Sequence, residues 1–167
     1  MDVFIEKIVA KRKTVADSLI VGGMILGGII LAFAVFMIPV LTGFAPILAA
    51  AILYGIYYFS KSRNIEFEYA VTNGDLDIDK IIAQRKRKRI FSVNCKEFEV
   101  VAKVRSVHHN EEIKRIPVKI EAVSSMDSED VYFTVTNYKG SKTVVYFEPS
   151  QKMLDAFRTF IPRKVHQ

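Results

Sequence analysis

Five consecutive basic residues, Arg85, Lys86, Arg87, Lys88 and Arg89, are the densest chemistry in the chain. In an extended strand Arg85, Arg87 and Arg89 face one side, and Lys86 and Lys88 the other. Such a run attracts phosphates or acidic surfaces, and each basic group beside an anionic leaflet contributes about 1 kcal/mol. Three readings of the residues stay open: a solvated strand edge whose charges block edge-to-edge pairing, a site for anionic lipid headgroups, and a contact for an acidic partner or nucleic acid. No aromatic RNA-binding signature accompanies the run, which argues against nucleic acid. Asp75, Asp77 and Asp79 precede it and would pair with it across a strand ladder. Counted as a calcium loop these acids fail. Lys80 stands where the loop needs Gly, and Lys86 where it needs the bidentate Glu.

The other reactive residue types are sparse. His108 and His109 are adjacent, so in an extended segment they point opposite ways, and His166 sits in the tail. No ligand-spaced metal cluster results. Cys95 is the single cysteine, which rules out an intrachain disulfide. It reads as a half-buried strand residue, since a nucleophile needs a base beside it. Glu111 and Glu112 lie in a polar stretch without an apolar pocket to shift them. G-x-S-x-G, P-loop and G-x-G-x-x-G patterns are absent. The expectation is a non-enzymatic protein with no cofactor. An enzyme would require a pocket that the sequence does not display.

The elements that must position these residues begin with residues 18–60, a run of 43 without Asp, Glu, Lys, Arg or His. As one helix it would be roughly 65 Å long, about twice a bilayer core. Pro39, Thr42, Gly43 and Pro46 interrupt it. The reading is a transmembrane helical hairpin, with spans at 18–38 and 44–60 joined by a tight turn. A cleaved signal peptide does not fit, because the apolar run far exceeds the roughly 7–15 residues of such a core. Lys11, Arg12 and Lys13 precede the hairpin, Lys61 and Arg63 follow it, and the turn has no charge. The positive-inside rule therefore expects a multi-pass cell-membrane protein with both termini cytoplasmic. Tyr54, Tyr57, Tyr58 and Phe59 supply an interfacial girdle. Gly23 and Gly27 form a GxxxG pair, Gly28 and Ala32 continue it, and Ala51 and Gly55 answer from the second span. That spacing serves packing within the hairpin, or contact with a membrane-protein partner or a second copy. Transport is disfavoured, since no ionisable group lies within the spans.

The first 17 residues read as a juxtamembrane amphipathic arm. Phe4, Ile5, Ile8 and Val9, after Val3, fall at i, i+1, i+4 and i+5. That stripe predicts a short helix, lying among headgroups or docked on the soluble part. From residue 64 to 167 the pattern changes, with 18 basic and 15 acidic residues, enough chain for one small domain. Ile65, Phe67, Tyr69 and Val71 alternate with polar residues, and Asn73-Gly74 is a strong hairpin signal. Ile81-Ile82 breaks the alternation and suggests a bulge. Further strands are expected at 90–93, 98–104, 118–123, 131–137 and 143–147, with a polar connection at 105–117. Glu148-Pro149-Ser150 then starts a helix whose face is Met153, Leu154, Phe157, Phe160 and Ile161, and Pro162 stops it. The fold class is α+β: the hairpin, a mostly antiparallel β domain of six or seven strands, and a C-terminal amphipathic helix.

The hairpin at 72–76, the basic strand after it and the terminal helix at 148–162 resemble a pleckstrin-homology-like domain. In that fold a C-terminal helix plugs a bent antiparallel sheet. The resemblance implies a phosphate-headgroup site near an early hairpin. The whole chain is also similar to small two-span membrane proteins of Clostridia-type bacteria, through the segment F-E-Y-x-x-T-N-G-D-L-D-I-D-K-I at 67–81. That group has no assigned activity. The pI of 9.4 suits a protein beside an anionic leaflet. Function is therefore expected in the cytosolic domain, as binding of a protein partner or anionic lipid headgroups. The alternative is an accessory subunit of a larger membrane complex, assembled through the helices.

Overall fold

The tight turns set the strand order. Asn73 and Gly74 take positive φ, 51° and 94°. Two such residues in succession give the type I′ geometry that matches strand twist. The structure is a computed structural model and describes residues 4–166. Within it the chain forms two units, residues 12–64 and the remainder.

The larger unit is built of two four-stranded sheets. The first has the order β1 (Phe4–Ala10), β2 (Ile65–Thr72), β3 (Asp75–Ile82), β4 (Lys86–Asn94), antiparallel throughout. The second has the order β5 (Val100–Lys103), β7 (Tyr132–Tyr138), β8 (Ser141–Phe147), β6 (Val118–Ala122). In it β6 runs parallel to β8, while the other strand pairs are antiparallel. The β7–β8 hairpin occupies the neighbouring position, and β6 reaches the far side of β8 by a longer connection.

The arm is a strand, not the amphipathic helix its stripe predicted. Ile5 and Val9 turn inward against the core, while Phe4 and Ile8 face out, 66% and 53% exposed. Half-buried Lys7 stands inward between Ile5 and Val9 and disguised the period of two. The deciding factor is remote: the edge of β2 pairs with seven residues of the arm, from Phe4↔Thr72 to Ala10↔Glu66. Asp2 and Val3 of the arm lie outside the described residues.

One core lies between the sheets and under α4 (Gln151–Phe160). Tyr69, Leu76, Ile78, Phe91, Phe98, Phe147, Met153 and Phe157 are fully buried there. Each such side chain contributes about 1.5–3 kcal/mol relative to exposure. Ser150 caps α4, accepting from the Met153 amide at 3.3 Å. Met153, Leu154, Ala156 and Phe157 are its buried face, close to the predicted stripe. After α4 the tail meets β5: Val101 N donates to Lys164 O at 2.7 Å and His166 N to Val101 O at 2.8 Å. A second apolar cluster, Phe133, Val135, Val144 and Tyr146, covers the opposite face of the second sheet with Ile113 and Ile116. Ile113 belongs to α3 (Glu111–Lys114), a single helical turn where a polar connection was expected.

The smaller unit is a helix pair. α1 (Val15–Phe36) starts at a capping box: Asp17 N donates to Thr14 Oγ1 at 3.2 Å and Thr14 N to Asp17 Oδ2 at 3.0 Å. A single 3-10 turn, Pro39–Leu41, leads to α2 (Ala45–Ser62), with Pro46 in its first turn. Among the described residues α1 alone is long and apolar enough to cross a membrane, with a mean hydropathy of 2.6. The last turns of α2 carry Tyr54, Tyr57, Tyr58, Ser60 and Lys61 and dilute its apolarity.

Candidate functional site

The basic run lies where β3 turns into β4. Ala83 and Gln84 both take positive φ, 54° and 56°, and Arg85 N donates to Ile82 O at 3.1 Å. This is a second type I′ turn, made without glycine, and it leaves Arg85 exposed in the turn rather than in the strand. Ile81 and Ile82 are regularly paired, with Arg87 and Lys86. The expected bulge is therefore elsewhere. Ile78 pairs with Phe91 and Asp79 with Arg89, so Ile90 is the extra residue. It shifts the period by one, letting Phe91 enter the core while Arg89, two positions away, faces out.

The outward arginines are consumed by carboxylates. Arg87 Nη2 is 2.5 Å from Glu68 Oε2. Arg89 Nε is 2.7 Å from Asp79 Oδ1, and its Nη1 is 2.7 Å from Asp77 Oδ2. Glu68 and Asp79 are only 6% and 5% exposed, so each needs its cation. Asp79, and secondarily Asp77, hold the Arg89 guanidinium above its ordinary pKa. Asp77 also accepts from Ser92 Oγ at 2.6 Å, and Asp75 from Asn94 Nδ2 at 2.8 Å. The three aspartates are thus ladder partners of β4, and no group of three or more His, Cys, Asp or Glu suited to a metal occurs among the described residues. Arg85, Lys86 and Arg87 border an open depression of about 250 Å³ with Ile8, Glu66 and Glu68.

By strand register Lys86 and Lys88 belong to the other face of the sheet, Lys86 at the rim of the depression as well. Lys86 pairs with Ile82, and Lys88 with Lys80. Lys80 and Ile82 share a face with core residue Ile78, and Lys80 stands half-buried opposite core residue Phe67. Lys80, Lys86 and Lys88 therefore form one patch, with no acidic partner for any of them among the described residues. Two like charges directly opposite each other disfavour the fold unless an anion joins them. Lys80 was missed in the sequence because its partner depends on recognising 83–85 as a three-residue connection, which sets Lys88 opposite it.

Of the small residues expected at a helix contact, Gly28 alone is buried. A Cβ there would lie 2.0 Å from Ile56 Cδ1 and 3.7 Å from Ile52 Cγ2. Gly23, Gly27 and Gly55 have open space where a Cβ would stand, and Ala51 is exposed.

The remaining candidates are structural. His108 stacks on His166 at 4.0 Å between ring centroids. His109 packs on Phe133 and meets Tyr146 Oη at 3.2 Å. Cys95 is buried, and desolvation pushes its thiol pKa up, away from reactivity. Tyr69 donates to Ala122 O and accepts from Glu148 N, pinning the entrance of α4; burial raises its pKa far above the usual phenol range. Glu111 is paired with Lys114 at 2.7 Å, which lowers its pKa.

The profile of a family described as a bacterial PH-like domain (DUF6106) matches residues 1–167. No curated protein and no solved structure matches the chain.

Proposed function

Because the chain belongs to the bacterial PH-like domain family DUF6106, a non-catalytic class, we propose that it is a membrane-anchored binding protein whose β unit reads anionic lipid headgroups through Lys80, Lys86 and Lys88. The observation that carries this reading is the split of the basic run. Arg87 and Arg89 are neutralised by buried acids, whereas the lysine patch is not. In this reading α1 and α2 both cross the membrane and both chain ends are cytoplasmic, as Lys11, Arg12, Lys13, Lys61 and Arg63 favour. Lys61 lies over the Tyr57 ring at 4.9 Å, an interfacial arrangement that suits the end of a span. Residues 11–14 and 63–64 join the strands to the helices.

The test is flotation with vesicles of phosphatidylcholine, with and without phosphatidylglycerol. The protein is the β unit with residues 12–64 replaced by a short turn. Changing Lys80, Lys86 and Lys88 together to Ser is expected to weaken binding to the anionic vesicles by about 100-fold. The pair Arg87→Met with Glu68→Leu removes one charge of each sign and leaves binding unchanged. Equal binding to neutral vesicles, or full binding by the triple variant, overturns the proposal.

The open faces at Gly23 and Gly27 favour a second reading, a subunit that joins a partner helix or a second copy there. Gly23→Leu with Gly27→Leu would then lose a co-purifying protein while the α1–α2 pair stays intact.

A further inference from the structure

Between the first turns of α1 and the last turn of α2 lies a cleft of about 310 Å³. Ser18, Gly22 and Ile25 present one helical face to it from α1, and Val21 flanks them. Gly22 keeps it open, since a Cβ at that position meets nothing within 4 Å. Ser60 lines it from α2. Its Oγ is screened from solvent and has no hydrogen-bond partner among the described residues. A buried hydroxyl without a partner in an apolar setting costs free energy, so it marks a place where a ligand atom belongs.

The charges around the cleft select the ligand. Asp17 is fully engaged, by Arg63 on one oxygen and by Thr14 N and Oγ1, at 3.0 and 2.8 Å, on the other. Lys13 lines the same cleft without an acidic partner among the described residues. The mouth therefore carries one uncompensated cation and two hydroxyls, and the floor is apolar. That order of polar mouth and apolar floor, at the end of a helix able to cross a bilayer, is the order of a phospholipid: phosphate outside, acyl chain inside.

We propose that this cleft binds one anionic phospholipid, its phosphodiester held by Lys13 and the Ser18 and Ser60 hydroxyls, and an acyl chain laid along Val21, Gly22 and Ile25. The site rests on the reading that the helix pair is embedded in the membrane, and it is separate from the lysine patch. It would set which lipid accompanies the anchor, independent of what the β unit reads.

The experiment uses the full chain in nanodiscs of phosphatidylcholine with a minor share of phosphatidylglycerol, and native mass spectrometry after release. One phosphatidylglycerol per chain is expected to remain. Lys13→Gln and Ser60→Val should each lower its retention by about tenfold. Gly22→Leu should abolish retention while circular dichroism shows the helices intact. The Lys80, Lys86, Lys88 triple variant should retain it as the parent does. Retention of both lipids in proportion to their supply, or undiminished retention in the three cleft variants, overturns the site. Alkaline carbonate extraction distinguishes the two failures: a chain released from the membrane overturns the embedded pair and the site together, and a chain that stays but holds no lipid overturns the site alone.

Discussion

Arg87, Arg89, Lys86 and Lys88 are neighbours in sequence and opposites in role. The arginines complete the ionic environment of Glu68 and Asp79, and the lysines have no acidic partner among the described residues. Another residue-scale consequence concerns His109. Burial is the main cause that lowers its pKa below 6.5, and Lys114 and Lys119 add to it. A histidine whose pKa is depressed on folding contributes stability that is complete above the unfolded pKa and is lost as the pH falls through the folded one. Thermal melts of the β unit should therefore shift down as the pH drops below about 6.5. His109→Gln should flatten that dependence. An unchanged slope in the variant would assign it to other groups.

At the scale of elements, close approach of α1 and α2 depends on the missing side chain of Gly28. Gly28→Leu would drive a side chain into Ile56 and Ile52 and is expected to cost about 1–3 kcal/mol of helix-pair stability. Gly23→Leu and Gly27→Leu should cost the pair nothing by comparison. Disulfide trapping between cysteines placed at the facing ends of α1 and α2 measures this, the Gly28 variant losing the cross-link and the others keeping it. Sheet elements show a similar dependence on one residue. Ile90 is the bulge that separates the facing of Arg89 from that of Phe91, and without it Arg89 would point toward the core.

In the whole molecule the helix pair is an insertion within a β-hairpin. β1 and β2 pair along their full length, yet residues 12–64 intervene. Lys11 N donates to Ile65 O at 2.9 Å, so the two chain ends are adjacent where the insertion leaves. Joining them with an Asn-Gly turn should give a soluble, folded β unit. A fragment that begins at residue 65 lacks β1, uncovers the β2 edge and loses the burial of Ile5 and Val9. It should be less stable by about 2–4 kcal/mol, read from urea midpoints of the two proteins. Equal midpoints would show β1 to be dispensable.

Local chemistry makes several features legible in the sequence itself. The uncharged run at 18–60 announces a helix pair of which α1 is long and apolar enough to cross a membrane, and Asn73-Gly74 and Ser150 state a turn and a cap, because each is decided by neighbours in the chain. The face of α4 follows from its period alone. Other features depend on partners far away. The arm's apolar residues fit a helix or a strand, and only the free edge of β2, more than fifty residues on, chose the strand. The bulge at Ile90 and the parallel placement of β6 follow from closing two sheets over one core. Pairing of β2, β3 and β4 within one sheet brings Glu68 and Asp79 to Arg87 and Arg89. A stretch that reads as five equal positive charges is thereby divided into two arginines held by buried acids and a lysine patch that meets solvent.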